Sequence, residues 1–242
     1  MKKTVFTFFL LISLLENAAA DFSLSAGGGG LLGYTFTRYT LEGGNAKSAQ
    51  SMDRIDYAGF LFFDATYVEF SVMFQEGRSS YKENMILDLN SLTGGTGTGL
   101  ERSLGLSLMW KYPYVINEKI SWFPLLGIAY QITLLQQRHP DGDLVYDRSK
   151  GHLAEDRDKD EKPYPLSAWN SFRIDVGAGL DYSINGPFFL RAELLFGFRL
   201  PTVYEQGALE VVKKPPMNVS NPKLTGLTGS PALKICIGCR FL

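Results

Sequence analysis

Beyond residue 20 the chain alternates between apolar and polar positions with a period of two, in segment after segment. In 66–74, Val68, Phe70, Val72 and Phe74 oppose Glu69, Ser71 and Met73. Leu104, Leu106, Leu108, Trp110 and Tyr112 oppose Ser103, Gly105, Ser107, Met109 and Lys111. Trp122, Leu126, Ile128, Tyr130, Ile132 and Leu134 oppose Ser121, Gly127, Ala129, Gln131 and Thr133. The pattern returns at 172–182, where Arg173, Asp175, Gly177, Gly179 and Asp181 form the polar side. At 188–199 that side holds Arg191, Glu193, Gly197 and Arg199, and at 233–241 it holds Lys234, Gly238 and Arg240. Two rougher segments lie at 22–36, where Gly27–Gly30 suggests a bulge, and at 56–63. A two-residue turn at Asp64-Ala65 puts Tyr57, Leu61 and Phe63 with the Val68 face and Phe60 and Phe62 with the Glu69 face.

These are eight strands, and the connections between them alternate in length. Asp64-Ala65, 113–119 and 183–187 are short, whereas 37–54, 76–100, 136–167 and 200–229 are long and polar. The expected fold is all-β: an eight-stranded antiparallel up-and-down transmembrane β-barrel, with short periplasmic turns and four long extracellular loops. Which face turns inward follows from volume. An eight-stranded barrel has room inside only for packed side chains. Bulky Phe, Trp, Leu and Ile on every strand would overfill it, whereas Gly, Ser and paired charges fit. The bulky face therefore points outward, which lipid tolerates and water does not.

Residues 1–20 read as a signal peptide: Lys2 and Lys3, an apolar run from Val5 to Leu15, then Ala18-Ala19-Ala20. Residues 21–242 form the barrel. No later stretch is long and apolar enough for a membrane helix. Among the 242 residues, 24 Lys+Arg balance 25 Asp+Glu, so the net charge gives no reason to expect nucleic acid as a partner. The mean hydropathy is near zero. The 25 Gly and the 13% aromatic residues are better explained by alternation than by a soluble core. Trp110, Tyr112, Trp122 and Tyr182 beside the short turns, and Trp169 beside a long loop, form two aromatic girdles.

The chain resembles the small eight-stranded outer-membrane barrels of diderm bacteria, the OmpA-barrel, OmpX and OmpW type. The features behind the resemblance are the signal segment, the strand number, the loop alternation and the last strand, Lys234-Ile235-Cys236-Ile237-Gly238-Cys239-Arg240-Phe241-Leu242. That strand looks like the terminal signal read by the barrel assembly machinery, carried by Ile235, Ile237 and Phe241, although Phe241 is penultimate. The resemblance implies the cell outer membrane as location and outer-membrane lipid as surroundings.

The expected lumen charges are Glu69, Lys111, Arg173, Asp175, Asp181, Arg191, Glu193, Arg199, Lys234 and Arg240. They read as a salt-bridge plug or as the lining of a narrow passage. Phe60, Phe62, Phe123, Leu125 and Leu195 also point inward, either as packing or as a pocket for small hydrophobic solutes, the role the resemblance attaches to OmpW-type proteins. Cys236 and Cys239, three apart on a strand, face opposite sides, which argues against a disulfide or a shared metal. His139 and His152, with Asp141, Asp143 and Asp147 nearby, lack metal-ligand spacing. No metal, cofactor or catalytic residue is expected, and no enzyme. The expected function is a narrow pore or a carrier of small solutes. The alternative is a structural or adhesin-like surface barrel whose long loops bind host or environmental ligands.

Overall fold

A computed structural model describes residues 23–43, 46–88, 91–140, 144–147, 152–153, 166–202 and 223–241. The expected signal segment lies outside them, as do Asp141, Asp143 and the side chains of His139, Asp147 and His152. Among the described residues there are eleven strands. Eight are long: β1 (Leu24–Gly43), β2 (Ala46–Ala65), β3 (Val68–Asp88), β4 (Ser91–Lys111), β6 (Ile120–Pro140), β9 (Ser171–Ser183), β10 (Phe188–Arg199) and β11 (Lys223–Arg240). Three are short: β5 (Tyr114–Val115), β7 (Leu144–Asp147) and β8 (His152–Leu153). A 3-10 turn, Leu166–Trp169, packs on β6.

Every neighbouring pair of the eight is antiparallel, in the order β4-β3-β2-β1-β11-β10-β9-β6. The β4–β6 pairing closes the ring. Closure removes every free edge within the bilayer, as lipid demands. The register gives the stagger. Gly27 pairs with Phe62, then Ser71, Ser107, Ala129, Arg173, Arg199 and Thr228, which meets β1 again at Thr37, ten residues beyond the start. A shear of ten on eight strands tilts them by about 40° and leaves an interior that side chains can fill.

The bulky face points outward. Leu61 is 70% exposed and Leu194 66%, and Ile55, Phe63, Phe74, Leu108, Trp110, Ile128 and Ile235 are exposed around the same wall. Inside, charged and small residues are buried with Phe60, Phe62, Phe123 and Phe189. This is the transmembrane barrel that the alternation implies. Trp110, Trp122 and Tyr182 stand exposed on its outer face near the short turns. There Tyr67, Tyr112, Tyr114 and Trp122 follow one another at centroid spacings of 5.0–5.8 Å.

Four local expectations differ from the structure. The β2–β3 turn is Thr66-Tyr67, two residues beyond Asp64-Ala65, with Ala65 opposite Val68 and Thr66 at φ 45°. The Thr66 hydroxyl accepts from the Ser23 amide at 2.6 Å and fixes that turn to the start of β1. An even shift keeps every facing, so Phe60 and Phe62 still turn inward. Gly27–Gly30 holds unbroken register with both neighbours. Irregularities fall instead at Arg102/Ser103, opposite β6, and at Ile86/Asp88, opposite β4. Trp169 lies in the 3-10 turn with its indole Nε1 buried rather than on the lipid-facing wall, because this segment folds back onto β6.

The fourth difference concerns the long connections. Residues 37–54 and 76–100 are mostly strand, so β1–β2 and β3–β4 are tall hairpins of 20–21 residues per strand. A bilayer needs only about 9–11 residues per tilted strand. The wall from β11 through β1, β2, β3 and β4 to β6 therefore stands well beyond the apolar band, while β9 and β10 stop after 13 and 12 residues.

Candidate functional site

The lumen is layered, and the inward positions of single strands show how. Along β2, from the short-turn end, they read Asp64, Phe62, Phe60, Ala58, Asp56, Arg54; along β10, after Phe189 at the turn, they read Arg191, Glu193, Leu195, Gly197, Arg199. A charged layer, an aromatic and small-residue layer and a second charged layer follow in turn.

The first charged layer centres on Arg191 of β10. Its Nε lies 2.7 Å from Asp181 Oδ1 on β9. Its Nη1 lies 2.6 Å from Glu69 Oε2 on β3, and its Nη2 is 2.7 Å from Asp64 Oδ2 on β2. Lys111 of β4 shares the Asp64 carboxylate. Lys234 of β11 sits 2.9 Å from Glu69 Oε1 and 2.8 Å from Glu193 Oε2. Arg240 lies 3.9 Å from Asp181. Four carboxylates thus face four cations, drawn from six strands. Arg191, Lys234, Glu69 and Glu193 are at most 2% exposed. Charges this deep persist only when paired, and here each of the four carboxylates has a cation within ion-pair distance.

Aromatic rings enclose the cations. Arg191 lies 5.0–5.2 Å from the centroids of Phe62, Phe123 and Phe189. Lys111 lies over Phe123 and Lys234 over Phe60, both at 4.7 Å. Ring faces attract cations, most strongly where water is excluded. The Phe123 ring rests on Gly179, and any Cβ there would collide with it. Leu125, Leu195 and Met109 pack beside Phe123. The expected apolar lumen residues are therefore packed around the plug.

The second charged layer joins Arg54 to Asp56 at 2.7 Å and to Glu101 at 2.6 Å. Arg173 pairs with Asp175 at 2.6 Å. Thr35 donates to Asp56 at 2.6 Å, Gln131 donates to Gln75 at 2.7 Å, and Arg199 reaches the Thr228 hydroxyl at 3.4 Å. All ten expected lumen charges face inward, with Arg240 partly open at the short-turn mouth. Sequence reasoning missed Asp64, Arg54, Asp56 and Glu101. The sequence pattern puts Asp64 in a turn, Arg54 at the end of a long connection and Asp56 in a segment apolar on both faces, and leaves Glu101 between a long connection and the next alternating segment. Phe189 was missed as well, although its parity opposite Phe188 turns it inward.

At the short-turn mouth a vestibule of about 210 Å³ reaches Asp64, Lys111, Asp181 and Arg191. At the tall end, ion pairs mark where the outer apolar band stops. Arg38 binds Asp53 at 2.7 Å, and Arg102 binds Glu76 at 2.9 Å. Hydrogen bonds from Tyr34 and then Arg38 hold the Asp53 carboxyl below its usual range. Those from Arg102 and Tyr57 do the same for Glu76. Cys236 is buried and Cys239 half-buried, and both are free thiols. Ile235, Ile237 and Phe241 stand exposed on the outer face of the closing strand.

No family model and no curated protein matches the chain. Solved structures resemble it at low identity. Neisserial surface protein A is 13% identical, with coverage of 89% of this chain and 99% of its own and a TM-score of 0.34. The outer membrane protein OprG of Pseudomonas aeruginosa is 11% identical, covering 93% and 98%, at 0.40. Ail of Yersinia pestis, solved with the heparin analogue sucrose octasulfate, is 13% identical, covering 90% and 99%, at 0.31. The barrel assignment rests on the closed strand pairing of the chain itself.

Proposed function

We propose that this chain is an outer-membrane barrel with a lumen closed at rest, acting through the wall that stands beyond the bilayer as a structural or ligand-binding surface barrel. The observation behind this reading is the plug: Arg191 reaches into the lumen near the short turns, held by carboxylates from three other strands and ringed by three phenylalanines. The short turns face the periplasm, and the tall hairpins face outward. Export through a cleaved signal segment and closure by the assembly machinery complete the proposal. Planar-bilayer recording tests it. The folded protein should show no steady conductance, and a steady open channel from the unaltered chain would overturn closure.

A narrow gated passage is the second reading, favoured by the vestibule that leads directly to the plug. Because Glu69 is shared by Arg191 and Lys234, opening would need only a change of partner rather than unfolding. Brief, rare openings would support it. Carriage of a small apolar solute would have to displace Phe60 and Phe62 from the cations they cover.

A further inference from the structure

The outer face of the tall wall carries a groove of about 430 Å³ across β11, β1, β2 and β3. Arg38 and Lys82 line it together with the hydroxyls of Thr40, Ser51 and Thr225, and no carboxylate is among its described lining residues. On β1 the outward positions run Leu32, Tyr34, Phe36, Arg38, Thr40. The groove therefore begins one outward position past the last aromatic of the apolar band, about 5 Å farther along the membrane normal. That is the depth of lipid headgroups, which extend about 5–7 Å beyond the hydrocarbon.

Arg38 is held in one orientation. Its Nη1 donates to the carbonyls of Thr37 and Met52 at 2.8 and 3.0 Å, and its Nη2 donates to Asp53 at 2.7 Å. Its side chain nevertheless remains 51% exposed. A guanidinium already fixed in one orientation loses little entropy when it takes up an oxyanion. Lys82 makes no ion pair among the described residues and supplies an exposed second cation. Arg78 and Arg102 continue the cationic rim on the same face, 73% and 47% exposed, around the single carboxylate of Glu76.

We propose that this groove seats a phosphate of an outer-leaflet lipid whose phosphates stand on a sugar headgroup. Arg38 fixes one phosphate oxygen, Lys82 neutralises the remaining charge, and the hydroxyls bind the sugar. The upward extent of the groove from the band edge to Lys82 favours a headgroup taller than that of a simple phospholipid. The proposal depends on the outer-membrane placement above.

The test is native mass spectrometry of the folded full chain in detergent, with lipid A, phosphatidylglycerol, phosphatidylcholine or inorganic phosphate as probes. Lipid A should be retained about tenfold better than phosphatidylcholine, a difference of about 1.4 kcal/mol. Arg38→Gln combined with Lys82→Gln should lower retention to the phosphatidylcholine level. Lys119→Gln, at the opposite end, should leave retention unchanged. Equal retention by the double variant and the unaltered chain would overturn the proposal. So would displacement of lipid A by millimolar inorganic phosphate, which would indicate a free-anion site, or by a sulfated polysaccharide, which would indicate a soluble ligand. Heat-modifiable gel migration of the same samples reports the membrane barrel separately: its absence would count against the placement, not the groove chemistry.

Discussion

Arg191 places one guanidinium among three carboxylates that would otherwise repel each other across the lumen. Replacing it with methionine keeps much of the volume but strands Asp64, Glu69 and Asp181 with only Lys111, Lys234 and Arg240 to share. Removing one partner of a buried ion pair typically costs about 3–5 kcal/mol. Arg191→Met should therefore lose stability of that order in urea unfolding from lipid vesicles. A loss under about 1 kcal/mol would mean that water reaches the plug and screens it. Gly179→Val probes the aromatic side of the same cluster. The new side chain would collide with the Phe123 ring, and overpacking of this kind costs about 1–3 kcal/mol. Parity in the sequence was enough to turn Arg191, Glu193, Lys234 and Glu69 inward. It does not reveal that Asp64 joins them, because a two-residue turn at Asp64-Ala65 takes Asp64 out of the strand.

The strands extend farther than their hydrophobic pattern. Alternation is visible only where one face meets lipid and the other meets the lumen. Past Phe36 the outer face of β1 turns polar with Arg38 and Thr40, while the inner face is already polar with Thr35 and Thr37. The period-two signal fades although the hydrogen-bonded ladder continues, and so 37–54 and 76–100 read as loops. The rim ion pairs sit at this change of solvent. Glu76 is held by Arg102 at 2.9 Å and by the Tyr57 hydroxyl at 3.0 Å. Its folded pKa lies below the ordinary value. Its contribution to stability is therefore present above the unfolded carboxylate pKa and is lost as pH falls through the lowered folded value. Arg102→Gln removes the largest cause of the shift. Carboxyl-carbon NMR titration should then show Glu76 moving up toward the ordinary glutamate range; an unmoved midpoint would assign the shift to Tyr57 and Arg78.

Taken whole, the molecule is a wall with two chemistries at two heights. Its lower part is an inverted core, apolar outside and ionic inside; its upper part carries polar side chains on both faces and stands on six of the eight strands. A lower band of this kind is stable only in lipid. In water, Leu61 at 70% exposure and Leu194 at 66%, with the other exposed apolar residues of the outer wall, would leave apolar area unburied around the barrel. This gives a test that separates a membrane barrel from a soluble one of the same topology. Leu194→Arg adds a charge at an exposed position and touches no lumen residue. On a soluble barrel it would be neutral within about 0.5 kcal/mol, as exposed substitutions usually are. On a bilayer-spanning wall it should cost about 2–4 kcal/mol near the midplane. The same substitution at Ile55, which lies near the edge of the band, should cost about 0–1 kcal/mol. A gradient between the two sites, measured as reversible unfolding from vesicles, would place the hydrocarbon against the wall, and equal costs would remove it. The gradient also locates the base of the outer groove, because Arg38 and Asp53 lie one outward position beyond Phe36 and Ile55 on the paired strands β1 and β2.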